Sequence, residues 1–400
     1  MDIKAVLELH DLAMRDAGNY PHSRQMLNEL RQESGKHFTG ILGPRGVGKT
    51  VLLKQLAAGD PSALYLSLDT LPRDQDVFEL IKKMNLDYKM RRFFLDEVHF
   101  HPQIEAVLKK TYDFLDVRIV FTSSVALALN QSAHDLSRRI VLRTLNPFSF
   151  REYLFFKHGL QLDALTREQI FNQEWTPEHL RAGTLHFDAY LQGGLMPFAL
   201  NEPAPLEILA RILSTVIQKD IPAAAPLLTG ELEIIAKLVA FIGRSAVDGI
   251  NYTVLSKNLG ITKYKAEQYL GLLERAFILQ RVFPGGTGVL KEPKVLMAVP
   301  YRLLFRDLDD AVGGLREDFF AEMMRHSATP FQYLKNTRGA KTPDYLLDAE
   351  TGANTVIEIG GKGKGLTQFK EIEAGRKYIF VHSDRTDGIR RPLFMLGYLP

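Results

Sequence analysis

Gly43-Pro-Arg-Gly-Val-Gly48-Lys49-Thr50 fits the pattern G-x-x-x-x-G-K-[ST] in full, and it decides how the chain around it is read. Each residue type has a physical task. The glycines permit backbone angles that turn N–H groups inward around phosphate oxygens. The helix expected over 49–57 points the positive end of its dipole at the same anion. Lys49 is placed to neutralise the β- and γ-phosphates, and the Thr50 hydroxyl to ligate Mg²⁺. The site is therefore expected to comprise Gly43, Pro44, Arg45, Gly46, Val47, Gly48, Lys49, Thr50 and Val51, with ATP and Mg²⁺ as the bound groups. The apolar run HFTGIL at 37–42 supplies the strand that should precede such a loop.

Working outward, three more apolar runs alternate with helical stretches: ALYLSL (63–68), RFFLDE (92–97) and VRIVFTS (117–123). Buried strands alternating with helices indicate an α/β core whose parallel sheet is covered on both faces. Helical spacing at 2–17 and 22–34 predicts two helices ahead of it. Residues 151–230 read mostly helical, broken at Gly193-Gly194 and Pro197, with PAAAP at 222–226 as a joint. Three helical periods and a strand-like RVF follow over 231–283. From about 295 the pattern mixes a helix at 315–326 with strands near 330–335, 343–348, 355–359 and 377–381. The expected division is 1–35 for the N-terminal helices, 36–155 for the phosphate-loop core, 156–230, 231–295 and 296–400.

Composition narrows the function class. The 400 residues carry 50 Lys+Arg against 47 Asp+Glu, a net charge of +3, so any basic surface must be local. The absence of cysteine excludes disulfides, thiolate zinc sites and cysteine nucleophiles. The first residues lack the pattern of a secretory signal, and no apolar run approaches the ~18 residues of a membrane span. The chain is expected to be soluble and cytoplasmic, with no membrane partner.

Two further elements belong with the phosphate loop. In Arg92-Phe-Phe-Leu-Asp96-Glu97, an apolar strand ending in two acids places Asp96 where it can hold Mg²⁺ through water. Glu97 is then the base that orients and deprotonates the attacking water. Val117-Arg-Ile-Val-Phe-Thr122-Ser123-Ser124 is a strand ending in hydroxyls. Either it sets Ser124 near the γ-phosphate, or its hydroxyls cap a helix over 125–130. His99 and His101 have no partners at metal-ligand spacing and read as surface or orienting residues.

These motifs add up to a resemblance. GPRGVGKT, FFLDEVH with the following HPQIEAVLKKTYD, VFTSS, and Ser137-Arg138-Arg139-Ile140 leading into Leu145-Asn-Pro-Phe-Ser-Phe-Arg-Glu-Tyr-Leu154 resemble AAA-type ATPases of archaea and bacteria that carry a DUF4143 C-terminal region. HFDAYLQGGLMPFAL (186–200) is similar to that family's GG-L-P segment, and the resemblance runs from about 20 to 400. It implies an ATP-binding AAA-type core, a helical lid over 156–230, a winged helix over 231–295 and a C-terminal α/β domain related to the PD-(D/E)xK nucleases. It also implies that Arg139 senses or stabilises γ-phosphate charge, in cis or from a neighbouring subunit of a homo-oligomer. This sequence has Arg138 where the family has Gly, which leaves both arginines open for that role.

Asn251 to Leu270 reads helix, tight turn at Gly260, helix, with Thr262 as cap and Tyr264, Tyr269 and Leu270 as anchoring bulk. A helix presenting Lys263, Lys265 and Gln268 suits a DNA major groove, whereas Glu267 and Glu274 on the same element oppose a duplex. Such a unit also serves for packing or partner docking. Farther on, Glu317 in Gly313-Gly-Leu-Arg-Glu317, Asp344 in Thr342-Pro-Asp344 and Glu358 in Thr355-Val-Ile-Glu358 resemble the acids of the nuclease-like site. They are expected to converge on a metal ion. The E-x-K lysine position holds Gly360. Either Lys362 returns to the site through a bulge, or the domain binds nucleic acid without cutting.

The sequence thus points to an ATP-hydrolysing enzyme acting on nucleic acid, DNA favoured. The alternative is a nucleotide-dependent switch or scaffold whose C-terminal domains bind a protein.

Overall fold

In the computed structural model, which describes residues 3–72, 74–124, 138–247, 250–285, 292–334, 342–347, 354–361, 369 and 375–400, the chain forms two units. One comprises Met1–Pro147 with Thr215–Leu227, the other Phe148–Ser214 with Leu228–Pro400.

The first unit runs α1 (Ile3–Ala17), α2 (Gln25–Gln32), β1 (Phe38–Leu42), α3 (Lys49–Ala57), β2 (Ala63–Ser67), α4 (Val77–Tyr88), β3 (Arg92–Asp96), α5 (Ile104–Phe114), β4 (Arg118–Ser123) and β5 (Ile140–Thr144). Among the described residues its sheet has the order β2-β3-β4-β1-β5, and every pairing is parallel. Each residue of β1 is buried, as are four of five in β2 and β3, so these strands read as continuous apolar runs without alternation. Because β4 inserts between β3 and β1, the carboxyl ends of the three motif-bearing strands lie side by side. The strand β5 was not expected from the sequence. It is an edge strand and four of its five residues are exposed, although Ile140-Val-Leu142 is as apolar as the runs of the inner strands.

The stretch 156–230, expected as one helical segment, is divided. Residues 215–227, with a π-helical turn at Val216–Asp220 and a short turn at Ile221–Ala224, group with the first unit. The segment before them belongs to the second.

The second unit opens on α6 (Phe150–His158), where Ser149 and Glu152 form a reciprocal capping box that explains the start of the SFREYL run. It continues with α7 (Arg167–Asn172), α8 (Pro177–Ala189), α9 (Pro205–Thr215), α10 (Thr229–Arg244), α11 (Tyr252–Leu259) and α12 (Lys263–Arg275). Gly260 between α11 and α12 has φ +64°, and Thr262 caps α12 by accepting from the Lys265 N–H. An antiparallel pair follows, β6 (Leu279–Val282) with β7 (Lys294–Met297).

The long helix α13 (Leu308–His326) precedes a second sheet of order β12-β11-β10-β9-β8. Its strands are Phe331–Tyr333 (β8), Tyr345–Leu347 (β9), Thr355–Gly360 (β10), Arg376–Val381 (β11) and Arg390–Pro392 (β12). Buried Arg302 forks onto buried Asp318 of α13 at 2.6 and 2.9 Å, and Asp318 also accepts from the Met297 N–H. That ties α13 to β7 and fixes the relative placement of Glu317 and Lys294. Among the described residues no helix is long and apolar enough to cross a membrane.

Candidate nucleotide site and C-terminal carboxylate cluster

The loop leaves β1 through Gly43, where a Cβ would lie 2.2 Å from the Leu145 carbonyl oxygen, so any side chain would push the loop off β5's exit. Gly48 precedes α3 with φ +89°, the left-handed region that glycine occupies without strain. Arg24, just ahead of α2, braces the arrangement. Its guanidinium donates to the Asn146 carbonyl at 2.7 Å and to the Val47 and Pro147 carbonyls at 3.3 Å.

Lys49 is buried and folds back over the loop, donating to the carbonyls of Gly43 (2.8 Å) and Pro44 (2.9 Å). Burial pushes its ammonium below the ordinary lysine range, while the nearby Glu97 and Asp96 carboxylates pull it back up. Its hydrogen bonds go to carbonyls rather than to a carboxylate. A buried cation at a helix N-terminus, held by dipoles alone, suits an anionic phosphate chain.

Asp96 ends β3 fully buried, accepting from the Tyr65 hydroxyl at 2.9 Å and from the Thr122 hydroxyl. Thr122 in turn accepts from the Glu97 N–H at 3.0 Å. Glu97 has φ +51°, which swings its carboxylate out of the strand's alternation, and the Ser124 hydroxyl lies 3.1 Å from both of its oxygens. The hydroxyls that end β4 therefore hold the acids that end β3. Residues 125–130, the helix of the capping alternative, lie outside the described residues.

Burial raises the Glu97 pKa, Asp96 adds to the rise, and Lys49 and Arg45 oppose it. A desolvated carboxylate with raised basicity is suited to take a proton from water. His99 is buried, contrary to a surface reading. Its ring lies tilted against Phe100 with centroids 4.3 Å apart and its Nδ1 3.3 Å from Glu97 Oε2, a proximity without hydrogen-bond geometry. Burial lowers its pKa to about 4, so the ring is neutral at physiological pH and packs against the base rather than pairing with it. Thr50 at the start of α3 and Asp96 offer hard oxygen donors that fit Mg²⁺.

Sequence reasoning missed Arg24, Tyr65 and a contact of Arg45. The Arg45 guanidinium forks onto Asp220, 175 residues away, and no local signal joins those two positions.

Arg139 is not brought to this site. Its guanidinium donates to both oxygens of Asp113 at 3.0 Å, and its carbonyl accepts from the Phe38 N–H at the amino end of β1. The phosphate loop leaves the other end of that strand, about 13 Å away at ~3.3 Å per residue. The cis role expected of Arg139 is thereby corrected, and exposed Arg138 stands on the same turn. Arg139→Ala is expected to leave turnover in dilute solution within about twofold and to cost ~0–1 kcal/mol of stability. Steady-state phosphate release and thermal unfolding check this. A rate that rises with protein concentration, and loses that rise in the variant, identifies a role in trans.

In the second unit, the Glu317 and Glu358 charges act on Asp344. Asp344 accepts from the Ile359 N–H at 2.8 Å, and Tyr345 donates its hydroxyl to Glu317 at 2.8 Å. Burial first, then the Glu317 and Glu358 charges, raise Asp344 to about 7. The three acids are not, however, arranged as the expected metal set. Among the described residues no three His, Asp or Glu side chains are grouped to hold a metal ion, and Lys294 Nζ lies 2.5 Å from Glu317 Oε2 as the cluster's counter-charge. Lys294 opens an apolar strand, a position that gave no hint of this role. Lys362 lies outside the described residues. Gly360 is ladder-paired with Val381, so no bulge begins there.

On α12, Lys263 pairs with Glu292 at 3.0 Å and Lys265 with Glu231 at 3.1 Å. Glu274 is taken up by Arg281 and Arg325, each at 2.8 Å, which removes it from any duplex-facing surface.

With this geometry in place, the comparisons are informative. An AAA domain family matches residues 35–154. The chain carries an AAA domain. It spans the phosphate loop, Asp96, Glu97 and the β4 hydroxyls, and it supports a nucleotide-dependent activity. Residues 184–300 match a domain of unknown function (DUF8612), not the DUF4143 region expected from the resemblance. An uncharacterized protein of Methanocaldococcus jannaschii is 26% identical over 393 residues, covering 89% of this chain and 82% of that protein. Two solved structures are similar at low overlap. The Aeropyrum pernix ORC1 protein in complex with DNA has a TM-score of 0.30 and 13% identity, covering 79% of this chain and 94% of that one. C. elegans PCH-2 has a TM-score of 0.25 and 17% identity, covering 69% of each chain. Overlap this low carries no argument about substrate or partner.

Proposed function

We propose that this protein binds and hydrolyses ATP at the AAA domain and uses the cycle to act on nucleic acid, with DNA as the favoured substrate. The observation that carries the first part is the convergence of Lys49, Asp96, Glu97 and Ser124 at one edge of a parallel sheet. Backbone N–H groups of residues 45–50 and the Lys49 ammonium bind the phosphates. Glu97, desolvated and held by Ser124, accepts the proton of the attacking water. A bound Mg²⁺ supplies positive charge against the phosphate oxygens, and Thr50 and Asp96 are the residues that would hold it.

The nucleic-acid part is supported by the two helices across Gly260 and the β6–β7 pair after them, an arrangement resembling a winged helix. Exposed Lys263, Tyr264 and Lys265 stand at the start of α12. Both lysines are solvent-exposed, and ion pairs of exposed lysines are weak, so a phosphate backbone can displace their partners.

The lysine pairs also favour a second reading, a nucleotide-dependent switch whose C-terminal region binds a protein. ATP turnover with and without duplex DNA separates the two. The first reading expects a severalfold stimulation that falls steeply with salt and is weakened by Lys263→Ala with Lys265→Ala. Equal turnover at low salt with and without DNA overturns it.

A further inference from the structure

Arg45 is the third residue of the phosphate loop, a position at which the pattern places no requirement. Here its side chain is held with unusual care. Nε donates to Asp220 Oδ2 at 2.7 Å and Nη2 to Oδ1 at 2.8 Å, a bidentate fork. Asp220 is fully buried and closes the π-helical turn Val216–Asp220 of the segment that returns to the first unit. A guanidinium has five N–H donors, and this fork uses two of them. Among the described residues no acceptor takes a hydrogen bond from Nη1. The fork therefore fixes the plane of the guanidinium and leaves the Nη1 donors undirected by the protein.

The Arg45 charge acts on Lys49, on Glu97 and on His99, so it lies within electrostatic reach of both the phosphate lysine and the base. Glu97 and Asp69 act on Arg45 in return. A terminal phosphate held by Lys49 and attacked by water that Glu97 deprotonates comes within reach of the same charges, and its own charge grows as the bond to the leaving group breaks. Arg139 stands at the opposite end of β1 and leaves this task open within the chain.

We propose that Arg45 is the arginine that contacts the terminal phosphate in cis, and that Asp220 is the positioning residue that aims it. The proposal rests on the ATP-hydrolysing reading above and assigns the specificity of that site for a nucleoside triphosphate over a diphosphate. It also gives the returning segment a purpose. Asp220 reaches the phosphate loop from between two stretches of the second unit's chain, so its hold on Arg45 is a covalently short link between the nucleotide and the rest of the protein.

The test compares ATP and ADP affinity, by calorimetry with Mg²⁺, in the full chain carrying Glu97→Gln so that ATP persists. Arg45→Ala and Asp220→Asn are added singly and together. The expected result is that each lowers the ratio of ATP to ADP affinity by about tenfold, leaves ADP affinity within about twofold, and that the double variant is no worse than Arg45→Ala alone. Arg45→Lys should not restore the ratio, because an ammonium cannot make the fork. With Glu97 restored, Asp220→Asn should lower kcat more than it changes KM. Unchanged ATP-to-ADP ratios in both single variants overturn the proposal. So do losses that add in the double variant and fall equally on ADP, which would make the pair a structural tie of the returning segment. Faster turnover in Asp220→Asn overturns it as well, because Asp220 would then restrain Arg45 rather than aim it. If the parent binds neither nucleotide, the ATP reading itself fails, and the proposal fails with it.

Discussion

Glu97→Gln should bind ATP with the parent's affinity while its turnover falls by about 10²–10⁴-fold, the usual worth of a positioned general base. The amide preserves the shape of the side chain and can still accept from the Ser124 hydroxyl, which lies 3.1 Å from each carboxylate oxygen. It cannot take a proton from water. Lys49→Ala should instead fail to bind nucleotide, because the loop then loses the buried ammonium that its carbonyls hold over α3. Calorimetric binding beside phosphate release separates the two. A Glu97→Gln variant that hydrolyses at the parental rate sinks the assignment of the base. The pH profile offers a second check. Burial raises the Glu97 pKa, and the base acts only when deprotonated, so the acidic limb of kcat/KM should fall above the ordinary carboxylate range.

How much of this was legible depended on how far apart in sequence the cooperating residues lie. The phosphate loop spans eight consecutive positions, and its glycines and lysine carry their reasons locally. Asp96 and Glu97 end an apolar run, and that is enough to put them at a sheet edge. The partners that tune them are another matter. Tyr65, Thr122 and Ser124 reach them because β2 and β4 flank β3, a fact of topology that no single stretch contains. Asp220 was read as part of a helical segment, and nothing around it signals an arginine 175 residues earlier. The edge strand β5 escaped although Ile140-Val-Leu142 is an apolar run, because that run is only three residues long and gives way to Arg143-Thr144. In the second unit the three acids were singled out by their resemblance to the acids of a nuclease-like site. Lys294 was not, because a lysine opening a strand is ordinarily a solvated residue, and its burial follows only from the packing of α13 on β7.

Lys294→Met should therefore destabilise the second unit strongly, and more so as pH rises. The ammonium is nearly buried and sits 2.5 Å from Glu317, and the Glu317 and Glu358 charges lie close enough to raise Asp344. Removing one member of a buried pair leaves an uncompensated charge, at a cost of about 3–5 kcal/mol. The sign with pH follows from Asp344. Its folded pKa of about 7 lies above the unfolded value, so its contribution to stability is present at low pH and is lost as pH rises through 7. Without Lys294, which opposes the rise, Asp344 holds its proton still more tightly, and the gap between variant and parent widens from pH 6 to pH 8. Thermal unfolding at the two pH values measures this, and a pH-independent gap would show that Lys294 acts through packing alone. Mn²⁺ then decides what the cluster is built to hold. If the acids accept a hard cation once the ammonium is gone, Mn²⁺ should raise the variant's Tm at pH 8 and leave the parent's nearly unchanged, since Lys294 already supplies the charge. Such a result would keep a metal-dependent role open and make Lys294 the group that a metal must displace. A Tm that ignores Mn²⁺ would make the cluster an ion-paired core element, and any action of this region on nucleic acid would then be binding without cleavage.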